Sequence, residues 1–328
     1  MTVRVALVGC GTAAARLHLP GYRAGGDAEV VAFASRTRAS AERVRDDWGG
    51  GEVVDDWRIA VTRDDVDAVD VCVPNALHTE VALEALKAGK HVLVEKPMTT
   101  TLADADALIA ASEAAGRRLM VAHEMRFAPV ARTMQRLLRD GEIGGVRRIR
   151  AALGHPGPES WSADATWFRD ATVAGGGALM DLGVHLMDAV AWLGDSAVAE
   201  IAGATLTGDD ALDEQADVVL RLDSGVPVSV HASWQVAAGR ETMVRVDGDT
   251  GSLHITAEAG LQLLRPGQQR AAITPDDTGL DSPSAAFARA VATDLPVPVD
   301  GAVGRAALAA VLAAYESART RRAVRVDA

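Results

Sequence analysis

The sequence predicts an α/β fold: a doubly wound parallel-sheet domain followed by an α+β domain with an open, mostly antiparallel sheet. Three observations predict it. Short β-branched runs alternate with amphipathic helical stretches over the first part of the chain, and the first of these runs leads straight into a glycine-rich turn. Beyond residue 122 the rhythm gives way to a few helices and then to strands joined by hairpin signals.

The strands of the first part are "VRVALVG", "EVVAFAS", "VDAVDVCVP", "KHVLVEK" and "RRLMVAH", separated by helical patterns such as "LHTEVALEALKAG" and "TLADADALIAASEAAG". Near-continuous apolar strands alternating with helices of this length make βαβ units and a sheet covered on both faces. After "VAHEMRFAP" come a helix, "PVARTMQRLLRDG", a strand, "VRRIRAALGH", and a glycine-led helix, "AGGGALMDLGVHLMDAVAWLG". Two hairpins follow, with turns at Asp223 to Gly225 and near Asp249 to Gly251. The last element, "GRAALAAVLAAYESARTRR", is an alanine-rich helix whose basic end suits the negative pole of its dipole. The expected domains are 1–122 and 123–328, with the final helix free to pack back on the first domain.

At 328 residues the chain is long enough for about two domains, each with its own core. A net charge of −12 argues against a surface built for nucleic acid or anionic membrane, both of which need a basic footprint. Only two cysteines, Cys10 and Cys72, are present, so neither a disulfide framework nor a Cys-rich metal site is expected, and no metal is assigned. The chain starts directly on a strand, and no apolar run approaches the ~20 residues needed to span a bilayer. A cytoplasmic location is the expectation.

The first strand runs into "GCGTAA", which sets Gly9, Gly11 and Ala14 in a G-x-G-x-x-G/A pattern: a tight turn, room for backbone beside a pyrophosphate, and a small residue for packing helix on strand. The following helix start offers free amides, so Gly9, Gly11, Thr12 and Ala13 are the expected phosphate contacts of a Rossmann domain. Where an NAD enzyme carries an acid at the end of the second strand, "FASRTR" has Ser35, with Arg36 and Arg38 behind it. Arginines there meet a 2′-phosphate, so NADP is preferred to NAD. Two further strand ends should border the ligand: Pro74, Asn75 and His78 in "VCVPNALH", and Glu95 and Lys96 in "HVLVEKP". Pro97 biases Lys96 to extended backbone, which holds its ammonium at the strand tip. Asn75 also fits a helix N-cap, and His78 a local capping role.

On a helix starting near Ala178, Asp181, His185 and Asp188 fall at i, i+4 and i+7 and form one polar stripe on an otherwise apolar helix. Buried carboxylates and imidazoles are costly unless paired or functional. Gly183 and the run Gly175 to Gly177 point to close approach of other groups to this backbone. One reading is a self-satisfied core pair. The other, favoured beside a dinucleotide domain, is a histidine oriented by a carboxylate to remove the proton left by hydride transfer, with a lysine stabilising the developing alkoxide.

Taken together, "VALVGCGTAAARLHLPGY", "PNALH", "EKP", "RFAP" and "WFRDATVAGGGALMDLGVHLMD" resemble the glucose-fructose oxidoreductase, inositol dehydrogenase and rhizopine-catabolism (Gfo/Idh/MocA) family over essentially the whole chain. The resemblance implies that Lys96 polarises the reacting oxygen, that His185 is the general acid/base, and that Asp181 orients it or binds substrate. Asp188 looks like a support for the helix. Arg126 matches a substrate-side position and Trp167 a cofactor-side one; His155 and Trp234 are substrate-side candidates by position in the second domain. Relatives often carry arginine directly after the tryptophan; here Phe168 stands there and Arg169 follows, so the role of Arg169 stays open. The implied activity is hydride exchange between a nicotinamide cofactor and a secondary hydroxyl or ketone of a sugar, amino sugar, nucleotide sugar or cyclitol. A homodimer or homotetramer through the C-terminal sheet is implied as well. Two other readings share the scaffold, a redox-elimination glycosidase that retains NAD and a non-catalytic dinucleotide sensor or corepressor. The joint presence of Lys96, Asp181 and His185 speaks against the sensor.

Overall fold

The structure is a computed structural model that describes residues 2–327 except 163–165, 209–211, 238 and 277–281. The chain divides into two compact units, residues 1–124 with 280–305, and residues 125–279 with 306–328.

In the first unit, strands β1 (Val3–Val8), β2 (Ala28–Ala34), β3 (Glu52–Val54), β4 (Ala68–Val71), β5 (His91–Val94) and β6 (Leu119–Val121) alternate with α1 (Leu19–Gly25), α2 (Arg38–Trp48), α3 (Trp57–Thr62), α4 (His78–Lys87) and α5 (Leu102–Ala115). The strands form one parallel sheet of order β3-β2-β1-β4-β5-β6. This is the doubly wound order, with its switch point between β1 and β4. Val5, Leu7, Phe33, Val69, Val92 and Leu93 are fully buried, as a sheet covered on both faces requires. Helix ends follow local chemistry: the Asp56 and Thr101 side chains accept from the first turns of α3 and α5, and Gly49 and Gly116 close α2 and α5 in the left-handed conformation.

The second unit begins with α6 (Pro129–Arg139), β7 (Val146–Gly154), α7 (Ala171–Ala174) and α8 (Val184–Leu193). Strands β8 (Val198–Gly208), β9 (Asp213–Leu222), β10 (Pro227–Ser233), β11 (Glu241–Gly248), β12 (Ser252–Thr256), β13 (Gly260–Leu264) and β14 (Ala271–Ile273) follow. The chain then returns to the first unit as α9 (Pro283–Ala292), and α10 (Gly301–Thr320) and β15 (Val324–Arg325) complete it. The open sheet of the second unit has the order β14-β13-β12-β11-β7-β10-β9-β8-β15. Its pairs are antiparallel except β7 with β10. Burial alternates along β9: Ala216, Val218, Leu220 and Leu222 face the core, while the residues between them are exposed. One face of the sheet therefore backs the helices and the other is open.

Candidate active site

In the first unit, β1 ends at a turn where Gly9 has φ +100° and a Cβ would stand 2.3 Å from the carbonyl oxygen of Cys72, so only glycine fits. Gly11 is exposed with nothing within 4 Å of a Cβ position, and Ala14 behind it is buried. Thr12 and Ala13 are partly exposed. A bare, open backbone at the end of β1 fits the pyrophosphate of a dinucleotide. Ser35 follows β2, and Arg36 is exposed with no ion pair among the described residues. Arg38, by contrast, pairs with Glu42 and Asp55. Asn75 is buried in the 3₁₀ turn after Pro74.

His78 differs from the expectation of a cofactor contact. It is fully buried, with Nδ1 2.8 Å from the Pro97 carbonyl oxygen and Nε2 2.8 Å from that of Val73, and burial holds its imidazole below the ordinary value. The ring lies between these two carbonyls, donating to one of them according to its tautomer, so the residue sits between the end of β4 and the segment that carries Lys96. Glu95 also faces inward: Oε1 lies 2.8 Å from His18 Nε2, and Oε2 accepts the Lys96 backbone N–H at 3.0 Å. Burial pushes the Cys10 thiol up to about 12 and raises that of Cys72, so both are free thiols rather than thiolates.

In the second unit the helix of the polar stripe is not one regular α-helix. Leu179–Gly183 is a π-helical segment that leads into α8, so Asp181 sits on the wide turn and His185 and Asp188 on the regular helix behind it. Such π turns are frequent at functional sites. All three residues are buried. Asp181 Oδ2 accepts from Trp234 Nε1 at 3.0 Å and lies 3.6 Å from Nε2 of buried His155. The glycine run has a definite cause. Asp213 at the start of β9 accepts from the backbone N–H of Gly177 (2.9 Å) and of Leu179 (2.7 Å), and from the Tyr315 hydroxyl (2.7 Å). It thereby caps the segment that presents Asp181.

Asp188 clasps Arg126 through Nε at 2.8 Å and Nη2 at 2.7 Å, so the guanidinium is directed at the helix instead of standing free for a ligand. Trp167 stacks on Phe168, with centroids 3.9 Å apart. Arg169 lies over the Trp234 ring at 5.1 Å and pairs with Glu159 and Glu214. It thus braces the tryptophan that holds Asp181. Sequence reasoning missed Asp213, His18 and Asp70. A carboxylate in the middle of the buried strand "VDAVDVCVP" was the available signal for the last of these.

Residues 3–123 match the Gfo/Idh/MocA model described as "Oxidoreductase family, NAD-binding Rossmann fold", and residues 131–254 match the C-terminal domain of the same family. The chain belongs to the Gfo/Idh/MocA family. It is an oxidoreductase with a nicotinamide-dinucleotide domain. Gfo/Idh/MocA relatives include a dTDP-3,4-didehydro-2,6-dideoxy-alpha-D-glucose 3-reductase of Streptomyces violaceoruber, 33% identical over 301 residues, which cover 88% of this chain and 85% of the relative. A 1,5-anhydro-D-fructose reductase of Ensifer adhaerens is 30% identical over 338 residues, covering 99% of this chain and 98% of the relative. Among solved structures, the aldose-aldose oxidoreductase of Caulobacter crescentus, complexed with glycerol, matches with a TM-score of 0.88 and 26% identity over 99% of this chain and 100% of that one. No helix among the described residues is long and apolar enough to cross a membrane.

Proposed function

We propose that this Gfo/Idh/MocA protein is an NAD(P)-dependent dehydrogenase or ketoreductase. Its substrate is the secondary hydroxyl, or matching ketone, of a sugar, amino sugar, nucleotide sugar or cyclitol. The observation that carries the reading is Asp181, a buried carboxylate held by Trp234 beside His155, on a π turn four residues before His185. The end-to-end match to a sugar reductase and the match to a nucleotide-sugar reductase support the substrate class.

The first unit takes the cofactor and the second the substrate. Gly9, Gly11, Thr12 and Ala13 hold the pyrophosphate, and Ser35 and Arg36 meet the adenosine ribose; Arg36 favours NADP. Bound nicotinamide supplies the hydride donor or acceptor. In the oxidative direction an imidazole nitrogen of His185 takes the hydroxyl proton, Asp181 orients that ring, and the Lys96 ammonium steadies the oxygen as negative charge develops. In the reductive direction His185 returns the proton. The open face of the C-terminal sheet is the proposed subunit contact, and two free thiols accord with a reducing, cytoplasmic setting.

The test is fluorescence titration with NADPH and NADH, followed by a 340 nm screen of sugars, cyclitols and nucleotide sugars with both cofactors. Tighter NADPH binding, and turnover lost in His185→Ala, is the expected result. Binding without turnover on any substrate overturns the dehydrogenase, and absence of binding overturns the cofactor assignment.

A further inference from the structure

The first unit contains a buried cluster of nitrogen, oxygen and sulfur donors that the proposed chemistry leaves unused. Asp70 stands in β4, fully buried between Val69 and Val71, where a carboxylate is costly unless it is paired or coordinates a metal. Cys72, two residues on, projects to the same side of the strand and is partly exposed. His18 closes the π-helical turn Ala14–His18 that follows the glycine loop, and is 2% exposed. Its Nδ1 lies 3.0 Å from Asp70 Oδ1, and Cys72 Sγ lies 3.5 Å from that nitrogen and 3.4 Å from that oxygen. Tetrahedral zinc, with bonds of about 2.3 Å to sulfur and about 2.0–2.2 Å to nitrogen and oxygen, sets its ligand atoms roughly 3.3–3.6 Å apart. The three donors already form one face of such a site; only the nitrogen–oxygen edge is short, by a few tenths of an ångström.

The surroundings fit as well. A histidine that binds a metal through one ring nitrogen ordinarily donates its other N–H to a carboxylate, which fixes the tautomer. His18 Nε2 lies 2.8 Å from Glu95 Oε1. The Tyr22 hydroxyl is buried on α1 near Asp70 and Cys72 and makes no well-formed hydrogen bond among the described residues. A water on a metal held by the other three supplies the partner that this hydroxyl lacks. Thiolate, imidazole and carboxylate together suit zinc, whereas magnesium and calcium take oxygen donors.

Without metal, the same contacts are met by protons: an imidazolium between Asp70 and Glu95, and the Cys72 thiol toward Asp70. On metal entry, Cys72 Sγ and His18 Nδ1 release these two protons to solvent as their bonds to the ion form, and no atom changes oxidation state. One divalent ion replaces two protons, so the buried charge is unchanged and no new charge has to be desolvated. Partly exposed Cys72 marks the side from which the ion enters.

We propose that His18 Nδ1, Asp70 and Cys72 form a zinc site, with a water beside the Tyr22 hydroxyl as fourth ligand, which cross-links the helical turn after the glycine loop to β4. The site is structural and asks nothing of the sugar chemistry. It fastens two segments that already touch, since a Cβ on Gly9 would stand 2.3 Å from the Cys72 carbonyl oxygen. A single thiol suffices for it, so the scarcity of cysteines in the sequence does not stand against it.

The experiment uses the full-length protein without dinucleotide or sugar, stripped with a chelator under reducing conditions and reloaded with the metal alone. Cobalt is expected to bind at one equivalent and to give the intense near-ultraviolet charge-transfer band of a sulfur-to-cobalt bond together with the visible bands of a tetrahedral ion. The sulfur band should vanish in Cys72→Ser and persist in Cys10→Ser, which removes the only other thiol. In competition with a chromogenic chelator, Cys72→Ser and Asp70→Asn should each weaken zinc binding by about a hundredfold or more, beyond what loss of an outer hydrogen-bonding partner costs. Zinc should raise the thermal transition of the native protein by several degrees and leave that of Cys72→Ser where it is. If Asp70→Asn does not fold, the comparison of Cys72→Ser, which exchanges one sulfur for oxygen, with Cys10→Ser decides. A cobalt spectrum without the sulfur band overturns the proposal, as does a band that survives in Cys72→Ser or a native zinc affinity no better than that of Cys72→Ser.

Discussion

Gly177→Ala is expected to destabilise the second unit severely. A Cβ at this position would stand 1.8 Å from the Asp213 carbonyl oxygen, against roughly 3.5 Å for ordinary non-bonded contact. The obstacle is backbone, which has no rotamer with which to yield, so the two segments must part by about 1.5 Å. That separation breaks the bonds from Gly177 N–H (2.9 Å) and Leu179 N–H (2.7 Å) to the Asp213 carboxylate. At about 1.5–3 kcal/mol for each bond to a charged acceptor, the loss is about 3–6 kcal/mol. For a unit of this size, where 1 kcal/mol moves the melting temperature by about 2–4 °C, the transition should drop by at least about 6 °C. Four of the six tryptophans, Trp161, Trp167, Trp192 and Trp234, lie in the second unit, so thermal unfolding followed by tryptophan fluorescence reads it directly. Gly11→Ala is the control: nothing lies within 4 Å of its Cβ position, and its melt should match the native protein. If Gly177→Ala melts within about 2 °C of native, the capping argument is refuted.

Arg126→Leu, which leaves the Asp188 side chain buried without its guanidinium, should cost about 3–5 kcal/mol in urea unfolding, and Arg126→Leu with Asp188→Leu should recover most of it. An equal loss in single and double variants would contradict this. Burial lowers the His91 imidazole to about 4, and its Nδ1 accepts the Arg118 backbone N–H at 3.0 Å. Between about pH 6.5 and pH 4 the unfolded chain binds a proton that the folded chain refuses, so stability should fall as the pH falls, and His91→Gln should flatten that slope of urea midpoint against pH. Arg36→Ala should weaken NADPH binding by about tenfold or more while sparing NADH; equal effects on both would remove the case for NADP. Trp234→Phe, which deletes the donor to Asp181, should lower turnover more than it lowers stability, and an unchanged kcat would count against the role of that bond.

The nucleotide half was legible because its signals are local. The end of β1, the glycine turn and the apolar runs are short-range patterns, and the observed strand order follows from right-handed βαβ connections. Both hairpins were legible from their turn residues. The return of residues 280–305 to the first unit was not, because no composition change marks a segment that packs on a distant partner. In the site, Asp181, His185 and Asp188 stood out as polar residues in an apolar run. A regular period of 3.6 could not show that Asp181 lies on a π turn, since the wide turn is fixed by Asp213, more than thirty residues later in the chain. Arg126 shows the same limit: its partner is Asp188, and spacing in sequence says nothing about a pairing across 62 positions.

Helix α9 has a consequence for how the protein is made. Gly21 and Gly25 on α1 exist to let it in: a Cβ on Gly21 would meet the Ser282 hydroxyl at 2.1 Å, and one on Gly25 would meet Ala285 at 3.0 Å. All six strands of the dinucleotide sheet have been synthesised by residue 121, yet α1 keeps a groove with no occupant until α9 is made. During translation the nascent first domain must therefore wait, with this groove open, while β7 to β14 of the second sheet are made. A gene fragment ending before α9 would yield a sheet with its seam unsealed, and supplying the missing helix as a separate peptide would be the way to close it.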